Sequence, residues 1–266
     1  MAAPKETTPY IVGLVLDFET GGIPKKDLTV AQIGITQIAL HAIRLDTFEK
    51  IGSFVKYVYP YEQKAVKALT PKRKTLKSKY DVEAPTEMVY GKEALEFTAI
   101  TMDMLREKGV DINELAQDVL KFIEGVTAPK TPRNMKPIII GQNITFDEGF
   151  LIQMFEFTGL LKELTKLVRG WVDFYGNWHP QMMDTLHLGQ LALCHNPNIT
   201  SYSLGIMCEN LGIELDDAHD ADADVTATTN VAAILTQRMR SVSGSIEDTG
   251  GIQMNKAEKS RKHFKI

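Results

Sequence analysis

Two acidic residues close the first apolar run of the chain: Asp17 and Glu19 follow Tyr10 to Leu16 (YIVGLVL), with Phe18 between them. In a strand, residues i and i+2 point to the same face, so both carboxylates enter one space. Two carboxylates held that close raise each other's pKa unless a cation lies between them. Hard, oxygen-seeking Mg²⁺ or Mn²⁺ is the natural cation. Asp147 follows a second apolar run, Lys136 to Gly141, at the start of a predicted helix. An acid there also complements the helix dipole, a task Glu148 could perform equally well. Asp224 ends the acidic stretch Asp216 to Asp224, with His219 five residues earlier. A histidine on the approach to a helix whose first turns carry an aspartate can overhang the same cleft as that aspartate.

The elements that must position these groups are read from periodicity. Strands are predicted over Tyr10–Leu16, Ile33–Leu40 and Ile51–Tyr59, an antiparallel meander opening a mixed sheet. Further strands are predicted over Lys136–Gly141 and near Gln181–Met183. Helical spacing returns at Glu93–Arg106, Ile112–Ile123, Asp147–Leu161, Leu186–Leu193, Ser203–Leu211 (Ser203 as N-cap) and Ala221–Met239. This alternation argues an α/β domain with helices on both faces of a mixed central sheet. The organisation read from the sequence is a tail over 1–9, a domain over 10–240 with a basic insertion at 62–92, and a basic, mostly disordered tail over 241–266. Between Lys64 and Lys79 there are seven Lys and Arg residues and no acid. A solvated surface insertion is the plain reading of that run, and a basic arm that gathers phosphates is the alternative. The aromatic stretch Trp171–Trp178 is expected to pack against the core, with stacking on unpaired bases as the alternative.

The chain has 266 residues and a formal charge of −4, so it is not a basic nucleic-acid binder as a whole. Bound divalent ions can supply positive charge where a phosphate sits. The two cysteines, Cys194 and Cys208, lack the spacing of a closed zinc site, and only the pair Cys194–His195 hints at one. Reduced thiols in a cytoplasmic protein without a membrane segment are the expectation.

Three motifs then carry a resemblance. Asp17-Phe18-Glu19-Thr20-Gly21, Asn143-Ile144-Thr145-Phe146-Asp147 and His219-Asp220-Ala221-Asp222-Ala223-Asp224 stand in the order and rough spacing of the DEDDh 3′→5′ exonucleases. That group is a DnaQ-like branch of the RNase H-like fold, and it includes proofreading subunits, ribonuclease T and oligoribonuclease. Met183-Asp184-Thr185, Ser203-Leu204 and Thr98-Ala99-Ile100-Thr101 resemble lesser elements of the same family. Two positions depart from it: Ala99 stands for the usual glycine, and Gln142 stands where a histidine often precedes the asparagine.

The resemblance implies that Asp17, Glu19, Asp147 and Asp224 hold two divalent ions, Mg²⁺ or Mn²⁺, with His219 as general base. Phe18, Thr20, Gly21, Ile100, Asn143 and Phe146 would contact the terminal nucleotide. The substrate would be a single-stranded or frayed 3′ end, with DNA favoured. An exoribonuclease of the same fold, or an idle nucleic-acid-binding or polymerase-docking module, are the alternatives. Any proofreading role would require a separate polymerase or another replication or repair partner.

Overall fold

The computed structural model describes residues 10–63, 87–215 and 220–241. The terminal tails, the run Lys64–Lys79 and His219 therefore lie outside the described residues.

Strand β1 (Val12–Thr20) forms the centre of a five-stranded sheet. On one side it pairs antiparallel with β2 (Ile35–Arg44), which pairs antiparallel with β3 (Lys50–Tyr57). On the other side it pairs parallel with β4 (Ile138–Gly141), which pairs parallel with β7 (Met182–Asp184). The order is β3-β2-β1-β4-β7, the mixed sheet and opening meander expected from the sequence.

Strand alternation decides which side chains meet which helices. Leu14, Leu16 and Phe18 join the main core with residues of α3 (Ile112–Val126) and α4 (Thr145–Thr158), among them Leu115, Val119, Phe150 and Met154. On the opposite face, Val15 clusters with Ala39, Ile43 and Ile140 against Ala221 and Val225 of α8 (Ala221–Ser241). The outer side of α8 packs on α6 (Thr185–Leu193) and α7 (Leu204–Leu211) through Ala227, Val231, Leu193 and Met207. Helices thus cover both faces. No helix among the described residues is long and apolar enough to cross a membrane.

The structure departs from the periodicity in three places. The helical pattern over Glu93–Arg106 is two helices, α1 (Lys92–Phe97) and α2 (Met102–Lys108). Between them the Thr98 hydroxyl donates back to the Ala94 carbonyl at 3.2 Å, Ala99 adopts φ 54°, and Thr101 caps α2 by accepting from the Met104 N–H at 3.1 Å. Periodicity does not register such a left-handed residue, which keeps the apolar spacing while breaking the helix. The helix from Asp147 stops at Gly159 in the left-handed conformation, and α5 (Leu161–Leu167) follows as a separate element.

The third departure is the aromatic stretch, which forms a two-stranded hairpin, β5 (Gly170–Val172) and β6 (Trp178–Pro180). Trp178 packs against the main core, whereas Trp171, Phe174 and Tyr175 are exposed, contrary to the expectation of core packing. Three-residue strands offer too little apolar surface to bury these rings, two of which, Phe174 and Tyr175, stand on the turn itself.

Gly21, just past β1, is required by close approach. Its N–H donates to the Gly34 carbonyl at 2.7 Å and its carbonyl accepts from the Gly91 N–H at 2.6 Å. A Cβ there would run into the Val89 carbonyl and the Tyr90 backbone. Gly21→Ala is expected to lower stability by about 1–3 kcal/mol, the usual cost of overpacking against backbone, which a urea melt would measure against the parent chain.

Candidate active site

Asp17 and Glu19 sit on the face of β1 that looks toward α8, since Asp17 lies opposite Ala39 and Glu19 opposite Gln37 on β2. A register shift between Glu19 and Thr20 ends regular pairing directly after the second acid; such bulges re-aim side chains at strand ends. Asp224 approaches from α8, one residue before Val225, which packs on the sheet. The result is a compact group: one carboxylate oxygen each from Asp17, Glu19 and Asp224 lie within 4.8 Å of one another. Among the described residues no other three His, Cys, Asp or Glu side chains are gathered to hold an ion, Cys194 and His195 included.

Asp147 adjoins this group from the other side of β1. It is buried in the first turn of α4, and its Oδ1 accepts the Phe18 N–H at 2.9 Å. One backbone bond therefore ties the second acidic motif to the residue between the two acids of the first. The turn before it is held as well. Asp184 accepts the N–H groups of Asn143 and Leu186, both at 2.9 Å, joining the left-handed Asn143 (φ 54°) to the start of α6. Thr185 donates its hydroxyl to Gln142 Oε1 at 2.7 Å, and Gln142 Nε2 donates to the Tyr202 carbonyl at 2.8 Å.

Crowding and burial set the electrostatics. The Asp17 carboxyl is pushed up to about 7, first by burial and then by the charges of Asp224 and Asp220. Glu19 is pushed up to about 9 by burial, then by Asp17, Asp224 and Asp220. Asp147 is raised well above the ordinary carboxylate range by burial and the Asp17 charge, against the opposing bond from the Phe18 N–H. A cation among these groups removes the cause of the mutual repulsion, so the donor set fits a hard divalent metal.

Of the remaining expected residues, Phe18 is buried against the core with its ring 6.5 Å from Phe150, and Thr20 is buried with its hydroxyl donated to the Gly22 carbonyl. Phe146 is half-buried with its ring 5.0 Å from Phe150, and Asn143 is exposed. Ile100 lines a separate cleft of about 360 Å³ with Tyr90, Leu95 and Met102, which connects to the first motif through the Gly91–Gly21 hydrogen bond. His219 lies outside the described residues.

Sequence reasoning missed the groups that dock α8. Gln37 donates to Asp220 Oδ1 at 2.9 Å, and His41 Nε2 lies 2.7 Å from Asp222 Oδ1. Both are buried polar residues on the α8 side of β2. Their signal was available as two large polar side chains four apart in the run Ile35–Ile43, which apart from them and Thr36 is apolar.

A mixed-sheet α/β domain with a carboxylate cluster on its central strand is the class this geometry defines. The chain belongs to the family described as Exonuclease (RNase_T), whose profile matches residues 84–232. Its mixed sheet with helices on both faces is an RNase H-like α/β fold. The chain is 28% identical over 146 residues to the 3′-5′ exonuclease DinG of Staphylococcus saprophyticus, a match covering 54% of this chain and 13% of that protein. Its fold is similar to that of E. coli exonuclease I in complex with a dT13 oligonucleotide, with TM-score 0.58, 22% identity, 86% of this chain covered and 42% of that one. A second exonuclease I structure, described as suggesting how processivity is achieved, gives TM-score 0.57 at 22% identity over 85% of this chain and 41% of that one. The chain thus spans less than half the length of these relatives.

Two outcomes follow from this geometry. Ala99 occupies the backbone conformation that a glycine, usual at this position in the family, adopts without strain, so Ala99→Gly is expected to stabilise the protein by about 1 kcal/mol in denaturant melts. The raised carboxyls have the opposite pH sign from ordinary ion-paired acids. Their stabilising contribution is full below the normal carboxylate range and is lost as pH rises through about 7 for Asp17 and about 9 for Glu19. In EDTA the melting temperature should therefore fall between pH 6 and 9, and Mg²⁺ should restore more of it at pH 9 than at pH 6. An equal Mg²⁺ increment at both pH values would show that these carboxyls do not hold the ion.

Proposed function

We propose that this chain is a metal-dependent 3′→5′ exonuclease that releases nucleoside monophosphates from the 3′ end of single-stranded or frayed DNA. The observation that carries this reading is the meeting of Asp17, Glu19 and Asp224 from β1 and α8, with Asp147 bonded to the strand between them. On this reading Asp17, Glu19, Asp147 and Asp224 hold two Mg²⁺ or Mn²⁺ ions. When bound, such ions supply the Lewis acidity that makes a water nucleophilic near neutral pH and offsets the charge developing on the leaving 3′ oxygen.

The chain's own residues orient and deprotonate. Asp147 is fixed by the Phe18 N–H, so its carboxylate cannot swing away when the repulsion around it changes. His219, five residues before Asp224, accepts the proton of the attacking water, a role suited to a group titrating near neutrality. Asn143 and Phe146 shape the rim at the terminal nucleotide, Ile100 contributes from its own cleft, and Phe18, Thr20 and Gly21 line the pocket. DNA is the favoured substrate because the solved relatives of this fold carry deoxyoligonucleotides. RNA would be distinguished only by contacts to its 2′-hydroxyl. The working unit we assign to residues 10–240, acting in the cytoplasm, with the 62–92 segment as an insertion and any polymerase as a separate partner.

The test is degradation of 5′-labelled single-stranded DNA, single-stranded RNA and duplex DNA with Mg²⁺ or Mn²⁺. A ladder shortening from the 3′ end, abolished by EDTA and by Asp17→Ala, is expected, with DNA the best substrate. His219→Ala should lower kcat by about 10²–10⁴-fold while leaving Mg²⁺ affinity within a few-fold, the range for losing a general base. Because the base acts when neutral, the rate of the chemical step should rise with pH through the histidine's titration. Retained activity in Asp17→Ala would remove the basis for the assignment.

A further inference from the structure

The hairpin of β5 and β6 exposes aromatic rings that packing does not explain. Phe174 is 96% exposed, Tyr175 83% and Trp171 55%. Apolar rings left in water forgo about 1.5–3 kcal/mol of burial each, so several together on one protrusion mark a contact surface. The turn that carries them is fixed by its own hydrogen bonds. Asp173 Oδ1 accepts the N–H groups of Tyr175 at 2.9 Å and Asn177 at 2.8 Å, and its Oδ2 accepts from Asn177 Nδ2 at 3.1 Å. Gly176 completes the turn with φ 87°, and the rings of Phe174 and Tyr175 meet edge to face at 5.6 Å. Trp171 is braced from one side by His179, with ring centroids 4.9 Å apart and planes at 27°. These rings are held out in a defined arrangement before any ligand arrives.

The hairpin is joined to the candidate active site. His179 Nδ1 lies 3.1 Å from Glu148 Oε1, and Glu148 follows Asp147 in the first turn of α4. Between hairpin and helix runs a cleft of about 530 Å³ whose walls include Thr145 of the second motif on one side and Asn177, Trp178 and His179 on the other. At the foot of the hairpin, Arg133 donates to the Gly170 carbonyl at 3.4 Å and Arg169 to the Asn134 carbonyl at 3.1 Å, placing two guanidinium groups beside the aromatic strand.

From this arrangement we infer that the β5–β6 hairpin is a stacking platform for unpaired bases of the nucleic-acid strand whose 3′ end occupies the carboxylate site. The inference rests on the exonuclease reading and adds where the rest of the substrate is gripped. Rings held out on a narrow turn, with arginines at the hairpin's foot and a cleft leading to the second motif, suit bases and phosphates. A protein partner would call for a broad apolar face, and the turn residues Asp173 and Asn177 interrupt one. Stacking on aromatic side chains is sequence-tolerant, because every base has a π-face, and it requires bases freed from a duplex.

The test uses the full chain and its Trp171→Ala/Phe174→Ala/Tyr175→Ala variant, with Phe174→Ala alone as the second variant. Binding of 5′-fluorescein dT20 and of a blunt 20-base-pair duplex is followed by anisotropy in EDTA. Cleavage of dT20 and dT3 is followed with Mg²⁺. The triple variant is expected to bind dT20 about 10- to 100-fold more weakly, with Phe174→Ala losing about 5-fold or more, and duplex binding unchanged within twofold. The kcat/KM deficit should shrink as the substrate shortens from dT20 to dT3, and Phe174→Trp should retain parental affinity. Parental dT20 affinity in the triple variant overturns the platform, and a changed oligomeric state with that result assigns the rings to contact between copies of the chain. Failure of the parent chain to degrade any substrate counts against the exonuclease reading, which the EDTA binding comparison does not depend on.

Discussion

Three carboxylates share a space of less than 5 Å between β1 and α8, and the surrounding structure answers to that arrangement. Like charges so close, and partly removed from water, oppose ionisation, as the upward displacement of Asp17 and Glu19 shows. Such a cluster persists only if its backbone is fixed by contacts stronger than the repulsion. The middle of β1 supplies that on one side, paired with β2 and β4 and buried on both faces. The docking of α8 supplies it on the other, through Ala221 and Val225 in the apolar seam and through the bonds of Gln37 to Asp220 and His41 to Asp222. Those bonds engage two of the acids at the head of α8 without neutralising them, since Gln37 is uncharged and burial holds the His41 pKa down.

The two faces of β1 divide the work. Its even-numbered residues anchor the main core against α3 and α4, and its odd-numbered residues end in Asp17 and Glu19. Asp147 belongs to the core side by its helix, yet reaches the acids by accepting the Phe18 backbone N–H. Side-chain alternation alone would keep these motifs apart; a backbone donor, which lies in the plane of the sheet, joins them. The clamp of Asp184 on Asn143 and on α6 then fixes the turn that delivers Asp147, using the strand at the sheet's edge as a reference point. Residues of the third motif, the second motif and the meander are thereby held in one frame, although the bonded pair Phe18 and Asp147 is 129 residues apart and the pair Gln37 and Asp220 is 183 apart.

Away from that frame the structure spends little on burial. The segment joining α1 to α2 tolerates a left-handed alanine, and the β5–β6 hairpin keeps its rings in water on a self-bonded turn. Both features border clefts next to the acidic motifs. Irregular backbone and exposed aromatics are thus concentrated around the acidic motifs, over a close-packed sheet.

Much of this was legible in one dimension. The meander, the later strands, α3, α4 and α6–α8 follow from apolar periodicity, and the acids of the first motif declare themselves because charge stands where an apolar strand should continue. Motif order then identifies the family without any coordinates. The sequence by itself could not say how Asp147 meets the strand, because that contact is a bond to the backbone of Phe18 and carries no residue signature. Spacing alone does not separate Asp220 and Asp222 from Asp224; the motif resemblance singles out Asp224, and the tertiary structure adds that Gln37 and His41 take up the other two. Of the hairpin's aromatics, Trp178 packs on the core as expected while Trp171, Phe174 and Tyr175 lie at the surface, because whether an apolar ring is buried depends on what stands opposite it in space. Local pattern determines which elements form; only the packing of those elements decides which equivalent-looking side chains meet.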